Sequence, residues 1–392
     1  MTDTADQGFA RIPQLVRYPE LQANPETYGF TGTQGMVNLE GQLLRPEAPS
    51  RTLLIFMHPA TTLHLLPMPT ALARSGAHVL CAASRYARFD ATLIMEKVAC
   101  DMGAWVRHGR EVLGYEKIVL CGWSGGASLS LFYQSQAERP TITDTPAGDP
   151  CDLTAAGLIP ADAVMMIAAH ASRARTLSEW LDPSVIEETD PDRRRRELDI
   201  YDPKGAPRPP YPADFIREYR AAQLARMRRI TARVRERLED LRRRGGAEYE
   251  TAFVVHRTMA DLRWLDPAVD PNDRKPGTCF LGNPEAANVN PAGLARYSSL
   301  RSWLSQWSLD DSRCDAVRGA AGISVPLIVI ENSADDGAPA AHPRMVHDAA
   351  AQTDREMHVI RGATHYYRDQ PELLARCVDI CRDWLQRKGL VA

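Results

Sequence analysis

Lys117-Ile118-Val119-Leu120-Cys121-Gly122-Trp123-Ser124-Gly125-Gly126-Ala127-Ser128-Leu129-Ser130-Leu131 decides the fold. Ile118 to Cys121 is continuously apolar, the signature of a strand covered on both faces in a mostly parallel sheet. A glycine-rich turn follows, and then a helical stretch. Ser124 therefore sits between strand and helix with a glycine two residues to either side, a G-x-S-x-G in the setting that gives the pattern its chemistry. Strain at such a turn and the helix N-terminus behind it expose the hydroxyl and favour developing negative charge.

The same apolar signature recurs at Thr52-Leu53-Leu54-Ile55-Phe56-Met57, His78-Val79-Leu80-Cys81-Ala82, Ala163-Val164-Met165-Met166-Ile167-Ala168 and Pro326-Leu327-Ile328-Val329-Ile330, and in shorter form at Met357-His358-Val359-Ile360. Ahead of these, Val37, Leu39, Gly41 and Leu43 alternate with the polar Asn38, Glu40 and Gln42, as in a strand with one wet face. Helical stretches over Ile94 to Leu113 and Ser124 to Gln136 separate the runs. Alternating strands and helices predict an α/β fold, a mostly parallel twisted sheet with helices on both faces. Ligands of such sheets gather at the carboxyl ends of the strands.

The alternation stops after about Ser172 and resumes near Ile323, so residues 173–319 read as a mainly helical cap inserted between two strands of a core formed by residues 1–172 and 320–392. The spacing predicts a long helix from Pro212 to Arg244, closed by Gly245, with Ile216, Tyr219, Met227, Ile230, Val234, Leu238 and Leu241 on one stripe. A second cap helix is expected over Tyr297 to Ser308, and Arg139 to Pro160 reads as a long loop.

Composition narrows the function. The 392 residues are 44% hydrophobic, enough for a large core, and 47 Lys+Arg against 50 Asp+Glu give a net charge of −3. That balance argues against nucleic acid or a membrane surface as partner. Only five of the cations are lysine, a skew that fits a GC-rich bacterial genome. Eleven Arg stand against four acids between Arg217 and Arg244, read as a solvated helix face rather than an anion-binding one. Eight cysteines without a C-x-x-C pair point away from a disulfide scaffold or zinc site. The start Met1-Thr2-Asp3-Thr4-Ala5-Asp6-Gln7 lacks the basic and apolar segments of a secretion signal, and no run reaches the roughly 20 apolar residues of a membrane span. A cytoplasmic location is expected.

A serine hydroxyl needs a positioned base, and the base an orienting acid. Glu331-Asn332-Ser333-Ala334-Asp335-Asp336-Gly337-Ala338-Pro339 is an acidic loop after one apolar run, and Arg361-Gly362-Ala363-Thr364-His365-Tyr366-Tyr367 follows the next, giving the chain order serine, acid, histidine.

In these features the sequence resembles the α/β-hydrolase superfamily over about residues 37–172 and 320–392. The family's acid loop, glycine, two residues, aspartate and a proline four beyond, is matched by Asn332, Asp335 and Pro339, with Asn in place of the glycine. The resemblance implies Ser124 as nucleophile, His365 as base and Asp335 as acid, with Asp336 the rival. It implies an oxyanion hole from the backbone N–H of Gly125 and one in the loop Met57-His58-Pro59-Ala60-Thr61-Thr62. Pro59 has no N–H, so Ala60 is the expected donor and Thr61 the next. His58 would brace that loop.

His58, Thr61, Trp123, His170, Trp303 and Trp307 are candidate pocket residues, although the spacing of Trp303 and Trp307 fits packing within the cap better. No metal or organic cofactor is required. The expected activity is hydrolysis of a small or medium carboxylic ester, lactone or thioester. Carbon–carbon hydrolysis of an acidic ring-cleavage product, acyl transfer, and a non-enzymatic ligand sensor stay open. The partner is a small-molecule substrate, and a homo-oligomer is compatible with the sequence. Residues 1–36 carry no assignable pattern.

Overall fold

The apolar runs become the strands of one sheet. The computed structural model describes residues 8–20, 31–32 and 35–391, so most of the unassigned N-terminal segment, including Met1 to Gln7, lies outside the described residues. In chain order the main core elements are β1 (Ala10–Pro19), β2 (Met36–Arg45), β3 (Thr52–His58), α1 (Pro67–Arg74), β4 (His78–Ala83), α2 (Met95–Arg107), β5 (Lys117–Trp123), α3 (Gly125–Glu138) and β6 (Ala163–Ile167). The insertion follows with α4 (Arg173–Trp180) and α5 (Ala213–Arg244), and the core resumes with α6 (Ala316–Gly322), β7 (Leu327–Asn332), α7 (Ala341–Ala349), β8 (Arg355–Ile360) and α8 (Pro371–Arg387).

These eight strands lie in the order β1-β2-β4-β3-β5-β6-β7-β8, with the two-residue strand Thr31–Gly32 paired to β2. β1 and β2 are antiparallel to their neighbours, and every pair from β4 to β8 is parallel. β1 has no counterpart in the pattern read from the sequence, because Ala10 to Pro19 carries Arg, Gln and two Pro on an edge where backbone pairing with β2 sets the conformation.

Alternate residues of each central strand enter opposite cores. Leu53, Ile55 and Met57 pack with α2 and α3, whereas Leu54 and Phe56 pack with α1 and α8. Both faces are dry, which is why the runs are unbroken. Gly41 lets the Trp105 ring approach β2, where a Cβ would stand 2.8 Å from it.

The insertion has cores of its own. α5 ends at Gly245 with φ 64° and turns Met227, Ile230, Val234, Leu238 and Leu241 toward Leu177, Leu304 and Trp307. The expected helix over Tyr297 to Ser308 is instead a short strand, Tyr297–Ser299, one helical turn, and a π-helical segment, Trp303–Trp307. The wider turn sets Trp303, Trp307 and Gln306 on different sides of the segment: the first two go to the cap core and Gln306 goes to Asp90. α6, whose first four residues the sequence reading gave to the cap, packs against α3, with Gly319 seated on Leu131.

Most of the Arg-rich stretch is neutralised within the cap. Arg226 is buried and pairs with Glu188, Arg228 with Asp310, Arg235 with Asp311, and Arg237 and Arg244 with Asp240 and Glu248. Many partners come from other elements, so the face is a set of tertiary ties more than the i,i+4 ladder expected from the helix alone. Among the described residues no helix is long and apolar enough to cross a membrane.

Cap and core meet at a buried carboxyl. Ser305 Oγ accepts the Met95 N–H at 2.8 Å and donates to Glu96 Oε2 at 2.7 Å, while Oε1 of Glu96 has no partner. Burial, opposed by the Ser305 hydrogen bond, raises the Glu96 pKa to about 7. The folded state therefore binds the proton more tightly than the unfolded state. This contribution to stability is complete below the ordinary carboxylate pKa and is lost as the pH rises to about 7. Glu96→Gln is expected to match wild type in acid and to be more stable at pH 8, by on the order of 3 kcal/mol at 1.36 kcal/mol per pKa unit. Urea unfolding across pH 5–8 checks this, and parallel curves for the two proteins would refute it.

Candidate active site

Ser124 is held between β5 and α3 at φ 54° and ψ −127°, a backbone region that non-glycine residues rarely occupy. The turn is possible because its flanks have no side chains. A Cβ on Gly122 would stand 2.2 Å from the Ala127 Cα, and one on Gly126 would stand 2.4 Å from the Met57 carbonyl oxygen. The Ser124 N–H donates to the Ala168 carbonyl at 3.2 Å, which ties the turn to the end of β6. The amides of Gly125 and Gly126 open α3, where backbone N–H groups have no partner within the helix.

Asp335 and His365 come from the loops after β7 and β8. His365 Nδ1 lies 2.8 Å from Asp335 Oδ2, with both side chains buried. The other carboxylate oxygen accepts the N–H groups of Gly337 and Ala338, each at 2.7 Å. Asp335 is thus fixed from two sides, and the Nδ1–H to carboxylate bond leaves the imidazole Nε2 free to take a proton. Asp336, the rival acid, makes no such bond. Its carbonyl accepts the indole N–H of Trp264 at 2.9 Å, and burial next to Asp335 raises its pKa.

Asn332, where the family pattern has glycine, joins the two loops. Its Nδ2 donates to the Thr364 carbonyl and its Oδ1 accepts from the Tyr367 hydroxyl, both at 2.9 Å. The substitution thus adds two hydrogen bonds between the acid loop and the histidine loop.

Trp123, directly before Ser124, lays its ring 4.4 Å from that of His365, so the serine turn and the histidine loop meet there. Trp123 serves as that wall and is almost fully buried. The Ser124 hydroxyl itself makes no hydrogen bond to a described residue. Phe280, from the cap, faces the His365 ring at 6.4 Å between centroids.

The oxyanion side differs from expectation. The Ala60 N–H, the expected second donor, is turned back onto His58 Nδ1 at 3.1 Å and is occupied there. The short turn through Pro59 folds the imidazole over its own loop, and Ser84 Oγ holds the Pro59 carbonyl at 2.5 Å. Thr61 is half-buried beside it. The side chain of His58 reaches Gly125 instead, where a Cβ would stand 2.8 Å from its Nε2 and 3.5 Å from Nε2 of His170. Burial, then the charges of Arg173 and His365, lower the His58 pKa to about 3. Burial followed by the charges of His342 and Arg173 holds His170 well below its ordinary value. Both imidazoles are neutral near pH 7.

The two cap tryptophans separate. Trp303 is wholly buried in the cap, spending its indole N–H on Thr231 Oγ1 at 2.9 Å, and so lines no cleft. Trp307 is also buried, but it carries the Arg173 guanidinium 4.3 Å above its ring. Arg173 was missed in the sequence. It opens α4, bonds Gln306 and Asp90, and acts electrostatically on His58 and His170, yet nothing in Ser172-Arg173-Ala174 marks it among 42 arginines.

Solved structures share this architecture. An α/β hydrolase, GrgF from Penicillium sp. sh18, is 11% identical with a TM-score of 0.53, over 96% of this chain and 98% of its own. DcsB, solved with a substrate analogue, is 12% identical with a TM-score of 0.50, over 96% and 99%. The chain has the α/β-hydrolase fold. No protein-family model and no curated protein sequence matches it. Among the described residues no cluster of His, Cys, Asp or Glu is arranged to hold a metal ion within this α/β-hydrolase fold.

The packing at the turn sets a stability test. Gly122→Ala drives a methyl into the α3 backbone, so it is expected to cost at least the roughly 1–3 kcal/mol of an overpacked core. The melting temperature should fall clearly, and an unchanged melt would show that α3 can retreat from β5.

Proposed function

We propose that the protein is a serine hydrolase of a small or medium carboxylic ester, working through an acyl-enzyme. The observation that carries this reading is the buried His365–Asp335 pair, 2.8 Å apart, whose imidazole lies 4.4 Å from the ring of Trp123, the residue directly before a serine held at a strained turn. Burying such a pair and straining a serine are both unfavourable for folding alone, and structural strain of this kind concentrates at functional sites.

In the first half-reaction His365 Nε2 takes the Ser124 proton as Oγ bonds to the acyl carbon. Asp335 holds the imidazolium by its Nδ1–H. The carbonyl oxygen gains the displaced electron pair and is met by the Gly125 N–H at the positive end of α3. As the tetrahedral centre collapses, the alcohol leaves with the proton from His365. Water then repeats the sequence on the acyl-enzyme, releasing the acid and restoring Ser124. Catalytic hydrogen bonds are often long before substrate binds, so the unbonded Ser124 hydroxyl is compatible with this path. The cap, with Phe280 close to His365, argues for an enclosed pocket and a compact substrate.

Turnover of p-nitrophenyl acetate and butyrate is the test. Ser124→Ala and His365→Ala are expected to abolish it, and Asp335→Asn to lower kcat by about 10⁴-fold, the effect of losing the orienting carboxylate in a serine triad. A fluorophosphonate should add one phosphonyl group, and peptide mass mapping should place it on Ser124. Esterase activity that survives Ser124→Ala would remove the proposal.

A further inference from the structure

The hydrolase reading leaves the oxyanion with one assigned donor, Gly125, because the Ala60 amide is occupied, and the Thr61 amide is the remaining backbone candidate of that loop. A single donor is a poor match to an oxygen that gains a full charge, and water-excluded sites normally present at least two. Resting on that reading, we propose that the side chain of His58 is the second oxyanion donor, giving its Nε2–H to the oxygen opposite the Gly125 amide.

Three observations support the assignment. First, the proton's position is fixed. His58 Nδ1 accepts the Ala60 N–H at 3.1 Å, so in the neutral ring the hydrogen must be on Nε2.

Second, the distance suits two donors sharing one oxygen. A Cβ on Gly125 would be 2.8 Å from His58 Nε2. A residue's N lies about 2.5 Å from its Cβ by standard bond lengths and angles. Nε2 is therefore no more than about 5.3 Å from the Gly125 nitrogen. Two donors each about 2.9 Å from a common oxygen can be separated by up to about 5.8 Å. The imidazole could not come this close to any residue but glycine.

Third, no described residue accepts a hydrogen bond from His58 Nε2, so the donor is uncommitted. The groups acting electrostatically on the ring, Arg173 and His365, both disfavour its protonation, as does burial. It therefore stays a neutral donor through the cycle and moves no proton, which separates its role from that of His365. His170 also faces Gly125, but at 3.5 Å and with Nδ1 unpartnered, so nothing fixes its tautomer.

The test compares wild type, His58→Phe and His58→Gln with a p-nitrophenyl ester and with an alkylboronic acid, which forms a tetrahedral adduct with an active-site serine. His58→Phe is expected to lose about 10²–10³-fold in kcat, the usual cost of one oxyanion donor, with KM nearly unchanged. Boronate affinity should fall by the same factor as kcat/KM, while affinity for the product acid holds. His58→Gln, which restores an N–H, should recover part of the loss. If instead the Ala60 or the Thr61 amide were the working donor, removing the imidazole would free the first and spare the second, and His58→Phe would equal or exceed wild type; that result overturns the assignment. Should the variants not fold, ¹⁵N spectra of wild-type His58 decide: the Nε2–H tautomer between pH 5 and 9, with a proton that shifts on boronate binding, is required, and an Nδ1–H tautomer or a protonated ring overturns it. Absence of Ser124-dependent turnover in wild type would instead sink the hydrolase reading and this assignment with it.

Discussion

Close approach of backbone to backbone at the end of β5 governs the site. Gly122 and Gly126 let α3 start within contact of β3 and of its own strand, and that contact forces Ser124 into a positive φ. Everything chemical is referred to this point. The first amides of α3, the imidazoles of His58 and His170 at Gly125, and the Trp123 ring beneath His365 are all within one or two residues of it. The sheet supplies the rigidity: every strand from β4 to β8 runs parallel, so the loops after β3, β5, β6, β7 and β8 all emerge at one edge.

Charge in the site is arranged by burial more than by surface pairing. Three histidines crowd the serine turn, and two of them are kept neutral, leaving His365 alone with a carboxylate on its far nitrogen. The Arg173 guanidinium adds a fixed positive charge, steadied by Asp90, Gln306 and the face of Trp307. A cation near neutral imidazoles reinforces their neutrality. The arginines of α5, by contrast, are spent on holding the cap together.

Much of this was legible in the sequence because it rests on local rules. Unbroken apolar runs marked the parallel strands, the G-x-S-x-G marked the turn, and the order of acid and histidine loops, read with the α/β-hydrolase resemblance, pointed to Asp335 and His365. The long cap helix ended at its glycine. What failed to show was whatever depended on side-chain direction or on partners distant in the chain. The backbone of Ala60 is in the expected loop, but which way its N–H points depends on how His58 folds over Pro59. Trp303 and Trp307 share a helical spacing, yet the π turn sends one indole to Thr231 and the other under Arg173. β1 alternates in the fold, with Ile12, Val16 and Tyr18 turned toward the core and Pro13, Leu15 and Arg17 outward, but its polar residues and two prolines hide that period in the sequence.

The insertion contributes Phe280 and Trp264 to the neighbourhood of the histidine and acid loops, while its apolar clusters share no residue with the two that flank the sheet. Well-separated groups contribute to stability almost independently. Away from the contacts of Ser305 with Glu96 and of Arg173 with Asp90, changes buried in those clusters therefore fall mainly on the insertion's own packing. Such a division lets the interior of the insertion drift under mutation while the serine turn keeps its shape.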